Sequence, residues 1–212
     1  MFGIAHSSSD SITATRDAMA HGADVIAIDV VTSRGRLHAP TTHRFVFIGA
    51  RFFRGPSLED VWKAAAQAEV IKLDLKESNE RYLDLVVAFI ATHHGPELVV
   101  STGNRRALDR MARDAGEAIR LLSVPSTRRL RDLRGDAELR RLIDGVSIRQ
   151  DRLDGEAALW LEAEGFLMVT WTVNEAPRLN EGRLPWASTD HDGQLGHHGA
   201  PGSSEPQRGA AA

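Results

Sequence analysis

Short runs of apolar, largely β-branched residues recur along the chain, and stretches with apolar residues at helical spacing separate them. Eight runs are predicted to be strands: Phe2–Ala5, Val25–Val30, Val70–Leu75, Leu98–Ser101, Ile119–Leu122, Gly145–Ile148, Phe166–Trp171 and Trp186–Thr189. The helical stretches are Ser11–His21, Leu58–Ala68, Glu80–Thr92, Arg105–Ala115, Thr127–Leu142 and Gly155–Glu164. Eight strands that alternate with helices predict an α/β protein built as a (β/α)8 barrel of the TIM type.

The barrel is expected to be compact and to form one domain over residues 1–192. The chain has 212 residues, whereas about 250 are typical of this fold. Residues 193–212 are rich in Gly, Pro and Ser and lack an apolar period. That composition predicts a disordered C-terminal tail.

Composition excludes several kinds of protein. The net charge is −3, from 26 basic and 29 acidic residues, so a broad cationic surface for nucleic acid is not expected. Cysteine is absent, which excludes disulfides, thiolate catalysis and thiolate metal sites and leaves carboxylates and imidazoles as ligands. Because we find neither a signal-peptide pattern nor a run of 18 apolar residues, the expectation is a cytoplasmic protein without a transmembrane segment.

Polar residues that suit catalysis follow the first three predicted strands. Active sites of (β/α)8 barrels form at the carboxyl ends of the strands, so the residues there carry most weight. Two carboxylates, one ammonium and two imidazoles would meet at this mouth, a set suited to a hard cation such as Mg²⁺ or Ca²⁺ and to proton transfer near neutral pH. These residues are His6, Asp29, His38 in the loop after the second strand, Asp74 and Lys76.

Strand alternation sharpens this hypothesis, although each residue alone has a simpler explanation. A side-chain period of two places Asp74 and Lys76 on one face, and it places Ala27 on the face of Asp29. Asp29 alone is more typical of a helix cap or a turn. Lys76 alone fits a solvated rim charge, and a single histidine such as His6 is more often a hydrogen-bonded residue near the core. Spacing leaves both interpretations open.

A series of motifs carries a more specific signal because it runs in order from residue 2 to about residue 192. The motifs are FGIAH, SITATRDAMAHGADVIAIDV, LHAPTTHR, GPSLEDVWKAA, KLDLKES, VTWTVNE and STDHDG. In this order and spacing they resemble the glycerophosphodiester phosphodiesterases, a family of metal-dependent (β/α)8-barrel enzymes that serve lipid metabolism. The resemblance implies a phosphoric diester hydrolase.

The resemblance also assigns roles to individual residues. It implies that His6 and His38 form an acid–base pair and that Asp29 and Asp74 hold a divalent cation, Mg²⁺ or Ca²⁺. Substrate contacts are implied for Lys76, which would touch the phosphate, for Trp171 at the substrate mouth, and for Arg44 downstream of His38. Packing at the top of the barrel explains Trp171 equally well.

The chain departs from the family pattern at three positions of the expected site. Ser7 stands where the family has an arginine that would clamp a phosphate, Ala27 where it has a glutamate ligand, and Ala39 where it has an aspartate. Two carboxylates therefore remain for the cation. Mg²⁺ accepts one or two carboxylates when waters and substrate phosphate complete its octahedron.

Two functions follow from the sequence. The first is metal-dependent hydrolysis of a small glycerophosphodiester to an alcohol and glycerol phosphate, and a lipid phosphodiester would suit a barrel of the same superfamily. The alternative, favoured by Ser7, Ala27 and Ala39, is a catalytically degraded barrel that binds a phosphorylated ligand or a protein partner. The headgroup, the cation and the oligomeric state are left open by the sequence.

Overall fold

A computed structural model describes residues 2–6, 11–40, 55–171 and 186–190 of the chain. Nine strands lie in this part: β1 (Phe2–His6), β2 (Val25–Ser33), β3 (Arg36–His38), β4 (Val70–Leu75), β5 (Glu97–Thr102), β6 (Ile119–Val124), β7 (Gly145–Arg149), β8 (Leu167–Trp171) and β9 (Trp186–Asp190). The predicted tail, residues 193–212, lies outside the described residues, as does the segment between β8 and β9.

Eight of these strands run parallel and close into a barrel. Their spatial order is β1, β2, β4, β5, β6, β7, β8 and β9, and β9 pairs again with β1. Closure removes both free sheet edges and brings the carboxyl ends of all eight strands to one mouth. The predicted (β/α)8 barrel is confirmed.

The described helices begin where the sequence offers a side-chain cap. They are α1 (Ile12–Ala20), α2 (Leu58–Ala64), α3 (Glu80–Thr92), α4 (Arg105–Asp114), α5 (Thr127–Gly135), α6 (Ala137–Arg141) and α7 (Gly155–Ala163), with a 3-10 turn at Gln150–Arg152. In each α-helix a serine, asparagine or aspartate side chain just before the first turn accepts a backbone N–H of that turn. None of the described helices is long and apolar enough to cross a membrane.

Two elements differ from the prediction. The single helix expected over Thr127–Leu142 is divided at Asp136, whose side chain accepts the Leu139 N–H and starts a new helix. The other is β3, a strand of three residues that pairs antiparallel with the end of β2. Its tight turn places Arg34 and Gly35 at φ values of 51° and 76°, the positive values that a two-residue hairpin requires.

Side chains from alternate strand positions fill the inside of the barrel. Six of them form an apolar group that we call the interior cluster: Val25, Ala27, Val70, Val99, Leu121 and Val169. Residues between these positions, such as Ile71 and Leu73, face outward and pack in the layer between strands and helices. Since Val70 faces inward, the period of two turns Lys72 and Asp74 inward as well. The inner face of β4 therefore changes from apolar to charged towards the mouth.

Candidate active site

Asp29, Asp74 and Lys76 form an ion-paired group at the mouth. Asp29 of β2 lies directly opposite Asp74 of β4 in the parallel pairing. The Lys76 Nζ lies 3.0 Å from Asp29 Oδ1 and 2.6 Å from Asp74 Oδ2. The backbone N–H of Lys76 donates to the Val30 carbonyl at 3.2 Å, which ties the residue after β4 to the end of β2. One ammonium is thus held between two carboxylates.

The environment of Asp74 keeps this carboxyl ionised. Burial by itself raises its pKa, but the positive charges of Lys72 and Lys76 and hydrogen bonds from Lys76 and Ser101 outweigh that effect and lower the pKa from 3.8 to about 2. Ser101 Oγ, on the neighbouring β5, donates to Asp74 Oδ1 at 2.7 Å. Both oxygens of Asp74 therefore have a donor.

Lys76 is ionised for the reciprocal reason. Burial lowers the pKa of its ammonium, yet the nearby carboxylates of Asp74 and Asp29 raise the pKa above the usual value. About a quarter of its side chain remains exposed, 24%. The group at the mouth is consequently charged, and its lysine side chain is partly exposed.

Lys72 is a second cation near this group, and the sequence analysis did not single it out. It is buried, with 4% exposure, and its register partners are Ala27 on β2 and Val99 on β5. Its charge lies close enough to lower the pKa of Asp74. The sequence signal that could have identified Lys72 is its position two residues before Asp74, which places both side chains on the same face of the strand.

His38 lies on β3 and not in an irregular loop as predicted. It pairs with Val31, two residues after Asp29 along β2, and it is half-buried. Its Nδ1 lies 3.3 Å from the Gly55 carbonyl oxygen. A carbonyl only accepts, so Nδ1 carries the proton and a neutral ring has its lone pair on Nε2.

Two other expected site residues end barrel strands. His6 is the last residue of β1, opposite Asp190 of β9, and Trp171 is the last residue of β8, opposite Arg149. Both thus end strands at the mouth, but their side chains lie outside the described part of the chain, as do Ser7 and Arg44 entirely.

Ala39, the position at which the family has an aspartate, is fully buried. Its N–H donates to the Pro56 carbonyl at 3.1 Å. Its methyl side chain belongs to the core cluster between the strands and the helices and supplies no ligand.

Two further contacts brace the mouth and were missed from the sequence. Glu77 Oε1 accepts hydrogen bonds from the Thr32 backbone N–H and from its hydroxyl, at 2.5 and 2.8 Å. The buried Tyr82 hydroxyl donates to the Val30 carbonyl at 2.9 Å. Both contacts tie the chain that follows β4 to the end of β2, and this is the junction that positions Lys76.

The donor set does not fit a divalent cation as the groups are arranged. Both carboxylates already bind Lys76, and Ala27 removes the third oxygen ligand. Lys72 adds a further positive charge beside Asp74. Among the residues that the structure describes, no group of three or more His, Asp or Glu is placed to hold a metal ion. Two carboxylates balanced by two ammonium groups offer a dication little attraction.

Comparisons with known proteins find matches among solved structures. No protein-family profile matches the chain, and no curated protein matches it. A phosphodiesterase from Oleispira antarctica, solved in complex with sn-glycerol-3-phosphate, superposes with a TM-score of 0.69 at 18% identity, over 90% of this chain and 92% of that one.

Two further solved structures extend the comparison. The glycerophosphoryl diester phosphodiesterase domain of a Mycobacterium tuberculosis protein gives a TM-score of 0.57 at 16% identity, over 89% of this chain and 95% of that one. A calcium-dependent phosphoinositol-specific phospholipase C from a Pseudomonas species gives 0.59 at 10% identity, over 89% and 88%. The chain therefore has the barrel fold of the glycerophosphodiester phosphodiesterases and the phospholipase C-like phosphodiesterases, from which its sequence diverges widely.

Proposed function

We propose that the protein hydrolyses phosphodiesters at the mouth of its barrel, with glycerophosphodiesters as the substrate class and glycerol phosphate and an alcohol as products. The observation that carries the proposal is the Lys76 ammonium fixed between Asp29 and Asp74, at the mouth end of the pairing between β2 and β4. A fixed ammonium suits the anionic phosphoryl oxygens of a diester. The fold and the glycerol phosphate bound by the Oleispira structure support this substrate class.

Two histidines supply the proton transfers in this proposal. The Nε2 of neutral His38 takes the proton from the attacking water molecule as the oxygen of that water forms its bond to phosphorus. The other imidazole, that of His6, gives a proton to the alkoxide as the second P–O bond breaks. Lys76 balances the charge that builds on the phosphoryl oxygens between these events. The assignment of His6 rests on its place at the end of β1 and on the motif resemblance.

The remaining assignments stay predictions. Arg44 and Trp171 are expected to contact the substrate outside the ester bond. The resemblance implies that Asp29 and Asp74 hold Mg²⁺ or Ca²⁺. In the proposed reaction they orient the Lys76 ammonium that lies between them, and no proton transfer involves a metal ion. A cytoplasmic location likewise remains a prediction.

A second function, the binding of a phosphorylated ligand without turnover, is favoured by the neighbourhood of His38. Ala39 is a buried core residue and not an aspartate, so the carboxylate that the family has next to this histidine in the chain is missing. In this case Lys76 would still bind the phosphate.

Turnover of glycerophosphocholine, with and without added Mg²⁺, Ca²⁺ or Mn²⁺, separates the two functions. His38→Asn keeps an N–H for the Gly55 carbonyl and removes the Nε2 base, so we expect kcat to fall by about 10²-fold or more. The matched control is His94→Asn at an exposed histidine just after α3, which should leave kcat unchanged. Binding of glycerol phosphate without any turnover would replace the hydrolase by the binding protein.

A further inference from the structure

Lys72 places an ammonium group inside the barrel, and its burial there must be compensated. Removing an ammonium from water costs several kcal/mol unless opposite charge compensates it. Lys72 is 4% exposed and lies beside the apolar residues Val99 and Ala27. Asp74 supplies the compensating charge one layer closer to the mouth.

Hydrogen bonding of Asp74 does not require Lys72. Its Oδ2 accepts from Lys76 and its Oδ1 from Ser101. Lys72 therefore acts on Asp74 through its charge. Together with Lys76 it offsets the negative charges of Asp29 and Asp74.

Ala27 is the direct neighbour of Lys72 across the β2–β4 pairing. A carboxylate at position 27 would face the Lys72 side chain within the same layer of the barrel. The small methyl group leaves that layer to the lysine. Ala27, which replaces the glutamate ligand of the family, and Lys72, which adds a cation, thus lie side by side.

We propose that the ammonium groups of Lys72 and Lys76 take the electrostatic role of a divalent cation, so that this site binds a phosphate-bearing ligand without any metal ion. Lys72 is a positioning residue that supplies positive charge from one layer deeper in the barrel, while Lys76 contacts the phosphate. The proposal rests on the proposed function for the location of the phosphate and departs from the metal dependence that the motif resemblance implies.

The first test uses the unmodified protein and therefore does not depend on the folding of any variant. Mn²⁺ binding is measured by electron paramagnetic resonance, and Ca²⁺ binding by equilibrium dialysis, each with and without sn-glycerol-3-phosphate. We expect no saturable binding of either ion at micromolar concentrations. Calorimetric titration with sn-glycerol-3-phosphate should give the same Kd in excess EDTA and in Mg²⁺.

The second test removes the charge of Lys72 while keeping the length of the side chain. Lys72→Met should weaken binding of sn-glycerol-3-phosphate in EDTA by about ten-fold, equivalent to about 1.4 kcal/mol. Lys63→Met is the control, because Lys63 is an exposed lysine of α2 paired with Glu59, and it should leave the Kd unchanged. Thermal unfolding of both variants shows that they are folded.

The outcomes separate this inference from the proposed function. Micromolar Mn²⁺ or Ca²⁺ binding, together with loss of glycerol phosphate binding in EDTA, overturns the metal-free site while leaving phosphodiester hydrolysis intact. Metal-free binding of glycerol phosphate that depends on Lys72, with no turnover of any diester, supports the inference and overturns the hydrolase. An unchanged Kd in folded Lys72→Met removes Lys72 from the site.

Discussion

Asp29 and Asp74 face each other across the parallel pairing of β2 and β4, and the same ammonium, Lys76 Nζ, binds both of them at 3.0 and 2.6 Å. Two carboxylates in adjacent register positions repel each other unless a cation lies between them. In this chain a residue of β4's own continuation supplies that cation. The geometry of the mouth is therefore set within two neighbouring strands.

Removal of the Lys76 charge should expose this repulsion. We expect Lys76→Met to lower the free energy of unfolding at pH 7 by about 2 kcal/mol, less than the 3–5 kcal/mol of a fully buried pair because Lys76 is partly exposed. The deficit should shrink near pH 4, where one of the two carboxyls can take up a proton. Urea unfolding at both pH values measures it. Lys63→Met, which breaks an exposed ion pair with Glu59, should leave the stability essentially unchanged, because solvent screens such a pair.

Acid stability should report the lowered pKa of Asp74. Its pKa falls from 3.8 to about 2 in the folded protein, so the unfolded chain takes up the proton more readily. The stabilisation is therefore complete above pH 4 and is lost as the pH falls towards 2, with a total of about 2 kcal/mol. Urea unfolding of wild type and Asp74→Asn as a function of pH tests this sign. Equal acid sensitivity of the two proteins would contradict it.

Tyr82 gives a spectroscopic test because it is the only tyrosine of the chain. Burial, followed by the charges of Glu77 and Asp74, raises the pKa of its hydroxyl well above 10. Absorbance of the tyrosinate should therefore stay absent at pH 10 while the protein is folded. In urea the same titration should return to a midpoint near about 10. A normal midpoint in the folded protein would place the hydroxyl in contact with water and not with Val30.

The repeated pattern of eight strands was sufficient to predict the barrel, because strand-like runs and helix-period stretches alternate along the chain. The short strand β3 was missed because three residues give no measurable period. What defines it is a turn with positive φ at Arg34 and Gly35. The division of the helix at Asp136 was missed because capping needs only one side chain within an otherwise helical pattern.

The site was predictable only as far as strand ends are visible in a sequence. Asp29, Asp74 and Lys76 follow from that rule, and the structure brings them together. Lys72 and Ser101 do not, since Lys72 acts on Asp74 through its charge and Ser101 meets Asp74 through the register of β4 and β5. Register between strands is a property of the closed barrel and not of a local run of residues.

Substitution at position 27 tests directly whether the site at the mouth can bind a divalent cation. Ala27→Glu restores the missing carboxylate, but its nearest neighbour across the sheet is Lys72, and an ion pair between the two would neutralise it. We therefore expect the single variant to bind Mn²⁺ no better than wild type. The double variant Ala27→Glu/Lys72→Met removes that competing cation and leaves three carboxylates with the single ammonium of Lys76. Saturable Mn²⁺ binding should then appear at micromolar concentrations, where neither wild type nor the single variant shows it.

Stability of the same double variant provides the second readout. Without metal it should unfold more easily than wild type, because three carboxylates in adjacent positions repel one another. Added Mn²⁺ should recover the lost stability in proportion to its binding. Lys72→Met alone is the control, since it removes the cation without adding a ligand. If Ala27→Glu by itself binds Mn²⁺ as tightly as the double variant, the charge of Lys72 does not neutralise a carboxylate at position 27. The carboxylates of the mouth can then hold a metal ion.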